Sequence, residues 1–317
     1  MESTEPLCLC LCLKWNYNTF FPLLQEAGIS ASHLPRHKGA PIPPILEKPI
    51  GLCYNQADAA VQREDEHMRE PQQNYYGSLC TEMYELLHKK APEDELNFYL
   101  SYAEQGLKIL EPLCGSGRFL VPFMERGFHI YGMDLSGEML AQLRKKVPDA
   151  PVIQADILKY APGERFDYIF ISSGSVSLFT DRDQYKQILA RMRDLLAPGG
   201  NFVFAVDTIS ARCPDDPDYR TAACVETKDG FQLVLKSKNF YDEKSQTQFS
   251  PGIYERYDGN VLLQSEFMDF QTHLYRFGEM ESILRDIGFT SVTTYSSFSK
   301  EIAVDDRSEI FLFECQV

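Results

Sequence analysis

The stretch Glu111-Pro-Leu-Cys-Gly-Ser-Gly117 places one carboxylate and two glycines in the turn between a predicted strand and a predicted helix. Glycines at 115 and 117 let the backbone turn tightly and approach a ligand without side-chain obstruction. The helix amino terminus beyond them offers unpaired N–H groups to a carboxylate or phosphate. A second acid, Asp134, follows the next predicted strand, where it can accept hydrogen bonds from both hydroxyls of a ribose. A third, Asp156 in Gln154-Ala-Asp-Ile157, follows the strand after that, where a carboxylate can accept from the exocyclic amine of adenine. Singly, each has a plainer reading: a strand–helix turn, a helix cap at Asp134, a loop acid at Asp156. Their order at successive strand ends points instead to a nucleoside. A nicotinamide dinucleotide is disfavoured, because its fingerprint wants glycine or alanine three residues after Gly117 and Leu120 stands there.

The elements that must carry these residues follow from apolar patterning. Strands are expected over residues 108–114, 129–134, 152–157, 168–172 and 201–206. Helices alternate with them over 119–126, 137–147 and 184–196, the last closed by Ala-Pro-Gly-Gly200. Two further helices, 79–89 and 93–103, precede the first strand. Five strands alternating with helices imply a doubly wound parallel sheet, whose ligands bind at the carboxyl ends of the strands. The alternation then breaks. Residues 231–240, 247–257, 261–270 and 272–276 favour strands, with Tyr257-Asp-Gly-Asn260 as a hairpin turn. We read these as an antiparallel insertion over about residues 222–276. A helix over 278–287 and strands over 291–297 and 309–315 close the chain.

Four segments together resemble the class I, Rossmann-like S-adenosylmethionine-dependent methyltransferases of the small-molecule type. They are Ile109-Leu-Glu-Pro-Leu-Cys-Gly-Ser-Gly117, Gly132-Met-Asp-Leu-Ser-Gly-Glu-Met-Leu140, Gln154-Ala-Asp-Ile157 and Leu195-Leu-Ala-Pro-Gly-Gly200. The resemblance runs from about residue 107 to 206 and extends to the last two strands. It implies an α/β fold with a mostly parallel seven-stranded sheet and a reversed final strand. S-adenosylmethionine is the implied cofactor. Glu111, Leu113, Gly115 and Gly117 would then hold its methionine part, Asp134 and Leu135 its ribose, and Met139, Asp156 and Ile157 its adenine, with Ser172 beside them. The family often has Asp-x-Gly where this chain has Glu111-Pro.

The resemblance also implies where the acceptor lies, after the fourth strand, at Ser172-Ser-Gly-Ser175. Enzymes that methylate amines of nucleic-acid bases carry Asn/Asp-Pro-Pro-Tyr/Phe there, and this chain does not. A small-molecule acceptor, methylated at nitrogen or oxygen, is the expectation. Tyr75 and Tyr76 precede the sheet on a segment able to fold over the cofactor, as in small-molecule N-methyltransferases of this class; otherwise they are packing aromatics. His273 is the candidate general base, since an imidazole titrates near neutrality, against a structural histidine as the plainer reading. Arg118 either meets a carboxylate or faces solvent. The acidic run Asp215-Asp-Pro-Asp218 is read as solvated surface, and no metal is expected.

The net charge of −15 over 317 residues repels phosphate backbones, so no nucleic-acid partner is expected. Nine cysteines without a Cys-x-x-Cys pair fit reduced thiols. The apolar run at 7–13 is too short for a signal peptide core, and Glu2 and Glu5 precede it. No run approaches a membrane span. A cytoplasmic location follows as the expectation. Residues 1–70 are proline-crowded and read as a poorly ordered extension of unknown role. Oligomeric state is not legible. Two other readings stay open: a nucleoside-binding module without catalysis, and an NAD-linked oxidoreductase.

Overall fold

The computed structural model describes residues 73–317; the extension read over 1–70 lies outside the described residues. Helices α1 (Ser78–Leu87) and α2 (Glu93–Leu100) lead into the expected alternation. It runs β1 (Lys108–Pro112), α3 (Leu120–Glu125), β2 (His129–Asp134), α4 (Gly137–Lys146), β3 (Val152–Gln154), β4 (Phe166–Ile171), α5 (Arg182–Leu195) and β5 (Leu196–Asp207). After the insertion come α6 (Glu279–Ile287), β12 (Ser291–Tyr295) and β13 (Ile310–Gln316). The seven-stranded sheet has the order β12-β13-β5-β4-β1-β2-β3. Its β3, β2, β1, β4 and β5 pair in parallel, and β13 is antiparallel to both β5 and β12. This is the doubly wound sheet with a reversed final strand that the sequence implies.

Alternation along each buried strand feeds two cores. On one face Leu110, Ile169, Ile171 and Phe204 pack with Ile188 and Leu189 of α5 and Ile283 and Leu284 of α6. On the other, Ile109, Ile130, Phe170 and Val203 pack with Leu120 and Phe123 of α3, Leu140 and Leu143 of α4 and Tyr99 of α2. The chain leaves β1 toward β2 and β3, then returns to place β4 on the other side of β1. The carboxyl ends of β1 and β4 therefore form the switch point where such sheets bind ligands.

Three expectations are corrected. First, α5 runs directly into β5: Ala197–Gly200 is absorbed as an irregularity in the pairing with β4, between Phe166↔Leu196 and Tyr168↔Asn201. Second, β3 stops at Gln154, because the Asp156 carboxylate accepts the Leu158 N–H (2.9 Å) and turns the chain. Third, the insertion begins at Asp216, not 222, with a strand that the sequence hid.

That insertion comprises β6 (Asp216–Glu226), β7 (Gln232–Asp242), β8 (Thr247–Phe249), β9 (Gly252–Asp258), β10 (Val261–Met268) and β11 (Gln271–His273). Five of these follow the path β10-β9-β7-β8-β11, and β6 pairs with β7. Most of β6 is exposed, so it lacks the apolar alternation that marks a strand. The expected strand over 247–257 is split at Ser250-Pro251, since proline has no N–H for the ladder. The predicted hairpin forms with Asp258 paired to Val261 around Gly259-Asn260.

Among the described cysteines, Cys114, Cys224 and Cys315 are free, whereas Cys213 is disulfide-bonded, against the expectation of reduced thiols throughout. Among the described residues no helix is long and apolar enough to cross a membrane.

The close packing of α3 on β2 requires glycine at 132. A Cβ there would lie 2.5 Å from Leu120 Cδ1 and 2.8 Å from Cys114 Sγ. Gly132→Ala is expected to destabilise the protein by about 1–3 kcal/mol. The check is a lower urea midpoint at unchanged slope, and an unchanged midpoint would refute the tight fit.

Candidate active site

Asp134 ties the ends of β1 and β2 together. Its Oδ2 accepts the Gly115 N–H (2.8 Å) and its Oδ1 the Ser136 N–H (2.9 Å). Burial raises its pKa above the usual carboxylate range, against those backbone hydrogen bonds. The loop they hold is built on left-handed backbone at Leu113 (φ 58°), Gly115 (φ 53°) and Gly117 (φ 83°). Only glycine adopts that region without cost, and a Cβ at Gly117 would also meet Leu143 at 2.9 Å. Beyond Asp134, the Ser136 hydroxyl accepts the Met139 N–H (3.1 Å) and caps α4. That cap brings Met139 against the loop: its Sδ lies 3.9 Å from where a Gly115 Cβ would be.

Glu111 closes the site from beneath. It is 1% exposed, and its Oε1 accepts from Ser172 Oγ at 3.2 Å across the switch point between β1 and β4. Its Oε2 is buried without a hydrogen-bond partner. Burial pushes its carboxyl well above the ordinary range, partly offset by the Ser172 hydroxyl and by Arg118. Arg118 does not face solvent. It donates to Ser173 Oγ and lies over the rings of Tyr84 (5.6 Å) and Phe119 (5.1 Å).

Sequence reasoning missed Glu95. From α2 it reaches the loop after β4 and accepts the Ser173 N–H at 2.7 Å, where Ser173 itself is left-handed (φ 55°). Burial raises its pKa too, opposed by Arg118. Nothing in the local sequence of α2 marks this glutamate, because the contact spans 78 residues.

The other predicted residues divide. Ile157 is buried in the core and Leu135 is 43% exposed beside Asp134. Asp156 sits after β3, engaged by the Leu158 N–H and by Lys159 at 3.1 Å. It opens with Tyr131 and Ile153 onto a shallow groove. Tyr75 and Tyr76 fold over the end of β2: Tyr75 Oη donates to Glu138 Oε2 (2.7 Å) and the Tyr76 carbonyl accepts from Ser136 Oγ (2.8 Å). The Glu138 carboxylate and burial push the Tyr75 phenol up to about 12. His273 stands apart from the glycine loop. It is 5% exposed, between Tyr185 and Tyr275, with Nε2 3.4 Å from Glu279 Oε1. The acids Asp215, Asp216 and Asp218 pair with Arg212 and Arg220.

Comparison with known proteins agrees with this geometry. Residues 109–200 match the family model described as a methyltransferase domain. The dTDP-3-amino-3,4,6-trideoxy-alpha-D-glucopyranose N,N-dimethyltransferase of Streptomyces venezuelae is 25% identical over 125 residues, 39% of this chain and 48% of that protein. A trans-aconitate 2-methyltransferase of Acidovorax is 33% identical over 113 residues, 33% of this chain and 37% of that protein. The chain thus spans about half or less of the length of these curated relatives. The CcbJ methyltransferase of Streptomyces caelestis superposes with a TM-score of 0.60 at 19% identity, over 78% of this chain and 99% of that one. The sugar N-methyltransferase KedS8 of Streptoalloteichus superposes with a TM-score of 0.59 at 20% identity, over 79% and 100%. The fold is that of the class I methyltransferases, and residues 109–200 are similar to a methyltransferase domain.

The buried state of Glu111 carries a pH signature. A carboxyl whose folded pKa is raised contributes stability that is complete below its unfolded value and is lost as pH rises through the folded one, so buried Glu111 costs stability toward alkaline pH. Glu111→Gln is expected to raise stability at pH 8 by about 1–3 kcal/mol. The gain should shrink as pH falls toward the free carboxyl value of about 4.3. Urea titrations at pH 5 and pH 8 test this, and a wild type more stable than the variant at pH 8 would sink it.

Proposed function

We propose that this chain transfers a methyl group from S-adenosylmethionine to the nitrogen or oxygen of a small acceptor. The observation that carries the reading is the constellation at the switch point: the glycine loop held by Asp134, with the unpartnered Oε2 of Glu111 buried beneath it. The residues present fit the cofactor. Glu111 would receive the ammonium of the methionine part, and the amides around Gly115 and Gly117 its carboxylate. Each Asp134 oxygen keeps a second lone pair for a ribose hydroxyl. Leu135, Met139 and Ile157 would flank the nucleoside, and Asp156 would meet the adenine amine. When bound, S-adenosylmethionine supplies an electrophilic methyl on a cationic sulfur.

The chain's own task is alignment and the exclusion of water. Tyr75 and Tyr76 cover the β2 end; with its phenol pushed up to about 12, Tyr75 donates a hydrogen bond and does not act as a base. The acceptor would lie at the ends of β4 and β5. There Gly174 leaves room for Asp207, whose Oδ1 would lie 2.8 Å from an added Cβ. His273 is reached from the same edge, since β11 lies between Asn74 and the end of β5: the Gln271 carbonyl accepts from Asn74, and the Tyr275 N–H donates to the Asp207 carbonyl (2.9 Å). Glu279 accepts from Nε2 of His273 and is itself held by the Arg276 N–H (3.2 Å) and Gln246 (3.3 Å). Burial alone would raise the Glu279 pKa, but the hydrogen bonds from His273 and Arg276 hold it below the usual value. An ionised Glu279 keeps the proton on Nε2 and leaves Nδ1, buried without a hydrogen-bond partner, as the basic atom. That nitrogen would take the proton of an amine or hydroxyl acceptor. The similarity to amino-sugar N,N-dimethyltransferases and to a trans-aconitate 2-methyltransferase supports small acceptors of those kinds.

Two measurements test the reading. Calorimetric titration should show micromolar binding of S-adenosylmethionine and S-adenosylhomocysteine and none of NAD. Binding of NAD alone would replace the reading with an oxidoreductase, and cofactor binding without turnover on a panel of amino sugars and small acids would leave a binding module. In a turning-over enzyme, His273→Gln should lower kcat about 10²–10⁴-fold with cofactor affinity unchanged. An unchanged kcat would remove His273 from catalysis.

A further inference from the structure

Helix α1 begins without a cap of its own. Its N-cap is Gly77, which has no side chain to accept a hydrogen bond, and its first turn holds no acid. The missing acceptor comes from the insertion. Glu266 of β10 accepts the Leu79 N–H (2.9 Å), the Cys80 N–H (3.1 Å) and the Ser78 hydroxyl (3.1 Å). This is a helix cap delivered through tertiary structure, with a carboxylate where the helix dipole favours negative charge. Gly77 admits it: a Cβ there would stand 2.6 Å from Glu266 Oε1.

A second fastening lies just before it. Asn74, left-handed at φ 54°, donates from Nδ2 to the carbonyls of Leu178 (2.6 Å) and Gln271 (2.8 Å) and accepts the Gln271 N–H (2.8 Å). Its own N–H donates to the Asp269 carbonyl (3.0 Å). Between these two fastenings sit Tyr75 and Tyr76, held to Glu138 and Ser136 at the end of β2. Farther along α1, Glu82 pairs with Arg256 of the insertion while Glu85 pairs with Lys146 of α4 at 2.6 Å. The helix therefore joins the insertion to the nucleoside side of the main sheet.

We propose that Glu266 and Asn74 are positioning residues: the antiparallel insertion latches the segment 74–80 at both ends and thereby sets Tyr75 and Tyr76 over the cofactor. The proposal rests on the reading of the site as an S-adenosylmethionine site. It makes the insertion part of the cofactor's cover as well as a wall for the acceptor.

The competing explanation is that Glu266 only stabilises α1. The pair Glu266→Ala and Glu266→Ala/Gly77→Ser separates the two. Serine at 77 supplies a local N-cap, and with Glu266 removed there is room for its Cβ, so the double variant should recover the Tm lost by the single one. In the wild-type background the same Gly77→Ser change should lower Tm, because it meets the carboxylate. If the latch matters, the double variant still binds S-adenosylmethionine at least fivefold more weakly than wild type, and amide exchange over residues 74–77 stays faster. Asn74→Ala should give the same two effects without touching the helix cap. Full recovery of affinity and of exchange protection in the double variant would overturn the proposal. Absence of binding by the wild type would count against the functional reading, while the exchange measurements would still decide the latch.

Discussion

The ends of β1 and β2 are joined by a single carboxylate, and the architecture of the site depends on that junction. Asp134 takes one N–H from the glycine loop and another from the turn into α4. A buried carboxylate is tolerated only when its oxygens are satisfied, so the acid and the two backbone turns require one another. The Ser136 cap then directs Met139 against the loop and offers the Ser136 hydroxyl to the Tyr76 carbonyl. One acid thus organises three segments distant in sequence.

Around that junction the protein keeps charge in places where water is scarce. Glu111 and Glu95 lie at the carboxyl ends of β1 and β4, each with burial raising its pKa and each eased by the same cation, Arg118. Such groups cost stability in the absence of a partner. A site for a ligand bearing an ammonium group is a physical reason to retain them. The second polar centre is His273 with Glu279, where a carboxylate fixes which imidazole nitrogen carries the proton. In the proposed reading the two centres divide the chemistry: one would hold the nucleoside, the other would take the proton of the acceptor.

The insertion connects them. Its β11 carries His273, while Asp269 and Gln271, on either side of the start of β11, fasten Asn74, and its β10 caps α1. The antiparallel sheet therefore touches both the segment that carries the tyrosines and the element that carries His273. Its outer strand β6 is exposed along most of its length and contributes little apolar burial.

What the sequence by itself determined was the doubly wound sheet, the order of its strands in the chain, and the glycine loop and acids at its strand ends. Those depend on local periodicity and on short motifs: apolar runs at 108–114, 129–134 and 168–172, glycines at 115 and 117, acids at strand ends. Contacts such as Asp134 with Gly115 are legible because they join neighbouring strand ends whose placement the fold class already dictates. Only the tertiary structure decided the rest. The strand β6 was hidden by its lack of an apolar face, and β5 began earlier than expected because pairing with β4 absorbed Ala197–Gly200. Glu95, Glu266 and Asn74 carry no local signature, since each acts on backbone groups far away in sequence. The surroundings of His273 and the two tyrosines depended on how an insertion folds back on the core, and that is a matter of long-range packing that no local pattern encodes.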